Sequence, residues 1–372
     1  MPIGGSSERA FENASKEMEF KMQIKEIPVE GYEKVVEAKD EESGLHGIIA
    51  VHNTTLGPAL GGMRMWPYEN RDAALNDVLR LARGMTYKSA VAHTGLGGGK
   101  SVIIGDPSTK SEELFRAMGR FVDSLGGLYI TAEDVNTTIA DLENVAKETK
   151  YVTGLSRESG SSGNPSPYTA HGCILGVMAC LERVFGNGNF EGKKIGVLGV
   201  GAVGSVMARE MSKRGAKVYA HDMREERVAV LVEEAGVEPA SEEQLLTMDL
   251  DVFSPCALGG GLNENTIPKL GAKIVAGSAN NQLLVPEDGD RLRDRGILYA
   301  PDYVINAGGI INVAVELLPG GYKEEVALEK IKRIPDALHE VFDLADREGI
   351  STAKAADLLA EHILEEARSK KG

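Results

Sequence analysis

Cysteine is scarce in this 372-residue chain, and cations are outnumbered by anions. The three cysteines, Cys173, Cys180 and Cys256, form no CxxC pair and neighbour no histidine cluster. They build neither a disulfide framework nor a thiolate metal centre. Cys173 and Cys180 fall in an apolar helical run and read as small buried side chains. The seven histidines contain no HExxH and no other zinc spacing, so no metal is expected. A net charge of −15 excludes the basic surface that nucleic-acid or anionic-membrane binding needs. No apolar run approaches a membrane span, and Met1 to Ser15 lacks the apolar core of a signal peptide. The expectation is a cytoplasmic protein with reduced thiols, acting on small molecules.

The length calls for two domains rather than one core. Helical spacing is clear from Asp72 to Lys88, where Leu75, Val78, Leu79, Ala82 and Met85 make one apolar face. Ser101–Ile104 and Leu128–Thr131 read as short buried strands around a Ser111–Ser124 helix, which predicts a mostly parallel first sheet. A break at Ser159–Pro167 reads as a hinge that lines the cleft between domains. Beyond it, strands are predicted at Lys194–Leu198, Lys217–Ala220, Asp251–Ser254, Lys273–Ala276 and Ile297–Ala300, the pattern of a doubly wound domain. Glu324 to Lys371 is helical. The fold class is thus α/β in two domains separated by a cleft. Residues 1–155, with the tail from about 345 to 372, form a substrate and oligomerisation domain. Residues 156–344 form a Rossmann domain.

Gly199-Val200-Gly201-Ala202-Val203-Gly204 sits between a predicted strand and a predicted helix, the context a pyrophosphate site requires. Asp222 ends the next strand, where a carboxylate accepts ribose hydroxyls and repels a 2′-phosphate, so NAD is favoured over NADP. Arg224 tempers that preference.

The other glycine run, Gly95-Leu96-Gly97-Gly98-Gly99-Lys100, lets the backbone approach a ligand closely. It is no P-loop: position 94, where the first glycine is required, is Thr94, and a helix precedes the run instead of following it. Lys100 reads as a catalytic amine, whose lowered pKa burial and the nearby Lys88 would supply. Asp134 ends a buried strand, where open α/β sheets expose their crevice. The competing reading makes Lys88 and Asp134 a structural ion pair.

Gly57-Pro58-Ala59-Leu60-Gly61-Gly62-Met63-Arg64, Met85-Thr86-Tyr87-Lys88, Gly97-Gly98-Gly99-Lys100, Thr131-Ala132-Glu133-Asp134-Val135, Ala276-Gly277-Ser278-Ala279-Asn280-Asn281 and Asn306-Ala307-Gly308-Gly309 follow in order. Together they resemble the glutamate/leucine/phenylalanine/valine dehydrogenase family, most of all its leucine-specific branch. The resemblance implies reversible NAD-dependent deamination of an L-amino acid to a 2-oxo acid and ammonia. It implies that Lys88 binds the substrate carboxylate, that Lys100 polarises the attacking water, and that Asp134 shuttles protons. Around the substrate it places Leu60, Gly61, Gly62, Ala132, Asn281, Ile310 and Val313. Around the coenzyme it places Gly199, Gly201, Ala202, Val203, Gly204, Asp222, Met223, Thr169, Cys256, Ala257 and Asn280. Relatives form symmetric assemblies, so a homo-oligomer is expected.

Glutamate-specific relatives carry a lysine where this chain has Leu60. An isobutyl group there leaves a side-chain carboxylate unpaired and glutamate rejected. Ala132, Ile310 and Val313 are likewise apolar. A branched-chain aliphatic substrate is therefore expected, with an aromatic one second and a non-catalytic NAD-binding sensor third. Met63 stands where threonine is usual, and His93 reads as structural.

Overall fold

The structure is a computed structural model that describes residues 22–371; Met1 to Ser15, read above as free of a signal peptide, lies outside the described residues. The first sheet contains β1 (Gln23–Glu26), β2 (Lys34–Asp40), β3 (Leu45–Asn53), β4 (Ala59–Trp66), β5 (Gly97–Ile104) and β6 (Tyr129–Glu133), in the order β1-β2-β3-β5-β4-β6. Helix α1 (Arg71–Val91) connects β4 to β5, α2 (Glu112–Asp123) connects β5 to β6, and α3 (Ile139–Ala146) follows.

The mostly parallel sheet that was expected is a mixed one. Only the β5-β4-β6 portion is parallel; β1–β2, β2–β3 and β3–β5 pair antiparallel. The turn from β2 to β3 is too short for the crossover a parallel pair requires.

The period of two along each strand then sorts the side chains. Ala59, Met63, Met65, Ile103 and Tyr129 bury with Phe115, Met118 and Phe121 of α2. Ile48, Ala50 and Val102 pack under Ala74, Val78 and Ala82 of α1. Leu60, Gly62 and Arg64 on β4, Gly98 and Lys100 on β5, and Ile130 and Ala132 on β6 therefore share the α1 side.

The glycine run is strand, not loop: Gly97 to Lys100 open β5. Its lack of side chains serves packing. A Cβ on Gly98 would stand 2.0 Å from the Thr86 amide nitrogen of α1, and one on Gly99 2.8 Å from the Tyr129 ring. Bare backbone lets α1 lie directly on the sheet.

Helix α4 (Ser166–Phe185) leads into the second sheet. Pro165 and Pro167 belong to the start of that helix rather than to a rigid loop. The preceding segment is fastened by Glu316, whose carboxylate accepts from the Gly154 and Ser162 amides and the Ser161 hydroxyl. There follow β7 (Lys194–Leu198), α5 (Gly204–Lys213), β8 (Lys217–His221), α6 (Glu225–Ala235), β9 (Glu238–Pro239), α7 (Glu242–Thr247), β10 (Leu250–Pro255), β11 (Ala272–Val275), α8 (Glu287–Asp294) and β12 (Leu298–Tyr299). The order β12-β11-β10-β7-β8-β9 is parallel throughout and reverses direction at β7, which puts a crevice beyond the C-terminal ends of β7 and β10.

The chain ends in α9 (Asp302–Ile305), α10 (Gly308–Ala314), α11 (Glu324–Ile331), α12 (Ile334–Glu348) and α13 (Thr352–Ser369). Helix α13 ties both sheets together. Glu361 accepts from Tyr87 of α1 and Asp357 from Tyr303 of α9, each at 2.8 Å. Cys173 and Cys180 are buried on α4, Cys256 is half-buried after β10, and all three are free thiols. Among the described residues no helix is long and apolar enough to cross a membrane.

Candidate active site

Lys100 projects from the middle of β5 into the α1 side of the sheet, where it is 4% exposed. Its Nζ forms an ion pair with Asp134 Oδ2 at 2.9 Å. Burial pushes the ammonium down from its ordinary value, while Asp134 pulls the other way. Burial likewise works against ionisation of Asp134, but Lys100 and Arg64 outweigh it and hold the carboxyl below its usual range. Gly62 makes room for the pair: a Cβ there would meet Asp134 Cβ at 2.7 Å and Lys100 Nζ at 3.2 Å. Gly61 is excluded from a side chain by backbone alone, with Gly99 O 1.7 Å from where its Cβ would be.

Lys88 comes from the last turn of α1 and reaches across the cleft. Its Nζ donates to Asn306 Oδ1 at 2.5 Å. Burial lowers it to about 8, and it senses the charges of Asp302, Lys100 and Asp134. Lys88 is thus bonded to Asn306 and not to Asp134, so the structural ion pair considered above does not form. Asn306 is itself oriented by Asn280 Oδ1 at 2.8 Å and Ser278 O at 3.1 Å. Asp302, half-buried, accepts from the Gln282 amide at 2.8 Å, and desolvation raises its pKa. Asn281 is exposed, with φ at +51°, and lies on the turn held by this carboxylate.

The apolar candidates divide. Leu60, Ile310 and Val313 belong to one continuous buried cluster together with Ile130. Ala132 lies outside that cluster, half-buried opposite Gly62 in the β4–β6 ladder. Met63 faces the opposite side of the sheet with α2. His93 is exposed in a left-handed turn, remote from these contacts.

The second site lies at the end of β7. Its three glycines differ in what surrounds them. A Cβ on Gly199 would meet Ala257 at 2.8 Å, and one on Gly204 would meet Gly199 O at 2.0 Å and Cys256 Cβ at 3.0 Å. Those two serve the fold. Gly201 has no protein atom nearer than Arg227 Nη1 at 3.8 Å, so space outside the loop is kept clear at this residue. Ala202 and Val203 lead into α5, whose N-terminus has no side-chain cap, the Ser205 and Met207 amides bonding back to Gly201 O and Val203 O. Asp222 accepts from the Val200 amide through Oδ2 and the Arg224 amide through Oδ1, each at 2.9 Å. Burial opposes its charge, and these two amides and Arg227 outweigh that. A carboxylate has further lone pairs available for ribose hydroxyls. Met223 beside it is 95% exposed. Thr169 donates to Pro165 O at 3.1 Å, and its Oγ1 lies 2.7 Å from where a Cβ on Gly309 would stand. The residues present fit a dinucleotide.

Sequence reasoning left Arg64, Asp77, Asp302 and Asn306 without a role. Arg64 and Asn306 stood inside the matched motifs, and the alternation along β4 would have placed Arg64 beside Lys100. Among the described residues no three His, Cys, Asp or Glu side chains are grouped to hold a metal.

Two family models match. Residues 29–151 match the Glu/Leu/Phe/Val dehydrogenase dimerisation domain, and residues 219–372 match the Glutamate/Leucine/Phenylalanine/Valine dehydrogenase model. The chain is 53% identical to leucine dehydrogenase of Geobacillus stearothermophilus, over 91% of this chain and 92% of that one. It is 46% identical to valine dehydrogenase of Streptomyces albus, over 92% and 94%. Among solved structures, L-tryptophan dehydrogenase from Nostoc punctiforme aligns with a TM-score of 0.80 at 41% identity, covering 91% of this chain and 97% of that one.

Proposed function

The chain belongs to the glutamate/leucine/phenylalanine/valine dehydrogenase family, and from that membership we propose that it catalyses the reversible, NAD-dependent oxidative deamination of a branched-chain aliphatic L-amino acid to the 2-oxo acid and ammonia. What carries the reading is the grouping of Lys88, Lys100 and Asp134 on one side of a sheet, facing the crevice of a doubly wound domain. A silent NAD-binding sensor has no need of all three.

In this reading Lys88, a cation at neutral pH, binds the α-carboxylate. Lys100, its pKa lowered by burial, acts as a neutral amine that takes a proton from water attacking the imino carbon and then steadies the carbinolamine. Asp134 moves protons to and from the departing nitrogen. The nicotinamide, when bound, supplies the acceptor for the hydride that leaves Cα. Gly199, Gly201, Ala202, Val203 and Gly204 would hold the pyrophosphate, and Asp222 and Met223 the adenosine end. Thr169, Cys256, Ala257 and Asn280 would line the remainder. Residues 1–155 with the tail form the substrate-binding unit and 156–344 the coenzyme unit. The family's dimerisation-domain description supports a homo-oligomer, and three unpaired thiols support a cytoplasmic setting.

The test is NADH formation with a panel of L-amino acids at alkaline pH. Leucine, valine and isoleucine should turn over. Glutamate should fall below them by roughly 10³-fold in kcat/KM, because its carboxylate would be buried without a partner beside Leu60. The 41% identity to a tryptophan dehydrogenase keeps an aromatic substrate as the second reading; phenylalanine or tryptophan outrunning leucine would establish it. No turnover with any amino acid would return the sensor.

Coenzyme choice rests on Asp222. Asp222→Ala should weaken NAD binding and narrow the preference over NADP by roughly 10-fold or more, since the carboxylate both binds ribose hydroxyls and repels phosphate. An unchanged ratio of the two coenzymes in kcat/KM would move the ribose contact elsewhere.

A further inference from the structure

Asp134 has two cationic partners, and the proposed chemistry employs only one. Lys100 Nζ pairs with and Arg64 Nε donates to the same oxygen, Oδ2, each at 2.9 Å. No hydrogen bond from the described residues reaches Oδ1. The rest of the Arg64 fork points the opposite way: Nη1 donates to Asp77 Oδ2 at 2.9 Å. Asp77 is fixed in turn by the Tyr68 hydroxyl on Oδ2 at 2.7 Å and by Arg80 on Oδ1 at 2.9 Å. Asp77 belongs to α1, the helix that carries Lys88. One guanidinium thus joins the helix of one lysine to the carboxylate paired with the other.

We propose that Arg64 is a positioning residue that holds Asp134 Oδ2 away from the substrate, keeps that carboxylate ionised whenever Lys100 is neutral, and leaves Oδ1 to exchange the proton. The inference rests on Asp134 being the acid/base group. Lys100 must lose its charge during the cycle, and in that interval a desolvated carboxylate would be driven to protonate. A guanidinium stays charged throughout. A lysine in its place is a point charge and would not span two carboxylates lying on opposite sides. The other groups whose charges reach this site are Lys88, Asp77, Glu133 and Tyr129; Arg64 and Lys100 are the cations paired with Asp134.

The sign follows from that placement. Without Arg64, the Asp134 pKa rises, and Lys100, whose neutral form the Arg64 charge favours, keeps its proton to higher pH. The working pair of ionised Asp134 and neutral Lys100 is then available only at higher pH. In Arg64→Gln the acid limb of the pH profile for deamination should move up by about 1–3 pH units. The kcat at the optimum should drop by roughly 10²-fold, with NADH binding unchanged. Arg64→Lys keeps a charge but loses the fork, so its limb should shift less while kcat remains depressed. A merely structural role would lower kcat without moving the limb, and a profile superimposable on wild type overturns the proposal. Should Arg64→Gln fail to fold, Arg64→Lys decides alone: unchanged kcat and profile overturn the proposal, and depressed kcat with a shifted limb supports it. Asp134→Asn run alongside separates the two readings. If that variant deaminates at the wild-type rate, the acid/base reading itself is lost. If it is inactive while the Arg64→Gln profile does not move, only the present inference fails.

Discussion

Lys100→Ala should cut kcat by roughly 10²–10⁴-fold, the range for removal of a general acid–base group, while NADH binds as it does to the wild type. The separation of the two effects follows from place. Lys100 stands in β5 of the first sheet, whereas the residues proposed to hold the pyrophosphate and ribose lie in the loops after β7, β8 and β10. The fold should survive, because Arg64 still neutralises Asp134 when Lys100 is gone. Removing a cation without that second partner would strand a buried carboxylate at a cost of about 3–5 kcal/mol. Stopped-flow measurement of one turnover would distinguish the chemical step from product release, and NADH fluorescence would report the coenzyme. A variant within a few-fold of wild type would remove Lys100 from the mechanism.

Alkaline pH should act on the two lysines in opposite senses. In the proposed reaction Lys100 acts as the neutral amine, so kcat should rise with pH until that group has lost its proton. Lys88 must keep its proton to bind a carboxylate, and in the free protein its pKa is about 8. The KM for the amino acid should therefore climb above that value. A bound carboxylate raises the Lys88 pKa, so the same limb should lie higher in kcat than in kcat/KM.

The site was legible in the sequence where a residue type is tied to a chemical task, and obscure where its task is to hold another residue. Lys100 follows a glycine run and Asp134 a buried strand, the contexts from which both were read as reactive groups. Arg64 carries no such mark, and its importance appears only when β4, β5 and α1 are laid together. In the second sheet β7, β8, β10, β11 and β12 were readable because each is a short apolar run between turns, whereas β9, the exposed Glu238–Pro239 pair at the sheet edge, has no such signal. In the first sheet, β2 and β3 are buried on both faces across most of their length, so they lack the alternation that announces a strand. Their antiparallel pairing was hidden with them. The glycines of β5 were read as room for a ligand, and the room is taken by a helix.

That last difference has a measurable consequence in Gly98→Ala. The added Cβ would lie 2.0 Å from the Thr86 amide nitrogen, 2.3 Å from Thr86 Oγ1 and 2.4 Å from Thr86 Cα. Backbone cannot rotate out of the way as the end of a side chain can, so α1 must lift from the sheet by about 1 Å or more to restore ordinary contact. Overpacking of this kind costs about 1–3 kcal/mol or more, and in a protein of this size each kcal/mol lowers Tm by about 2–4 °C. Thr86 is two residues from Lys88, so the same lift carries the carboxylate-binding ammonium off its target. A displacement of about 1 Å is worth roughly 10²-fold in rate. Gly98→Ala should therefore lose Tm and kcat/KM together. Gly95→Ala provides the comparison from the same run: its φ of +77° disfavours alanine, but its Cβ would meet nothing within 4 Å. The strain there is local, worth about 1 kcal/mol, and turnover should be nearly retained. Were the glycines of β5 kept bare for a ligand, Gly98→Ala would hold its Tm and lose only substrate affinity. That result, or a larger fall in Tm for Gly95→Ala than for Gly98→Ala, would take the helix out of the explanation.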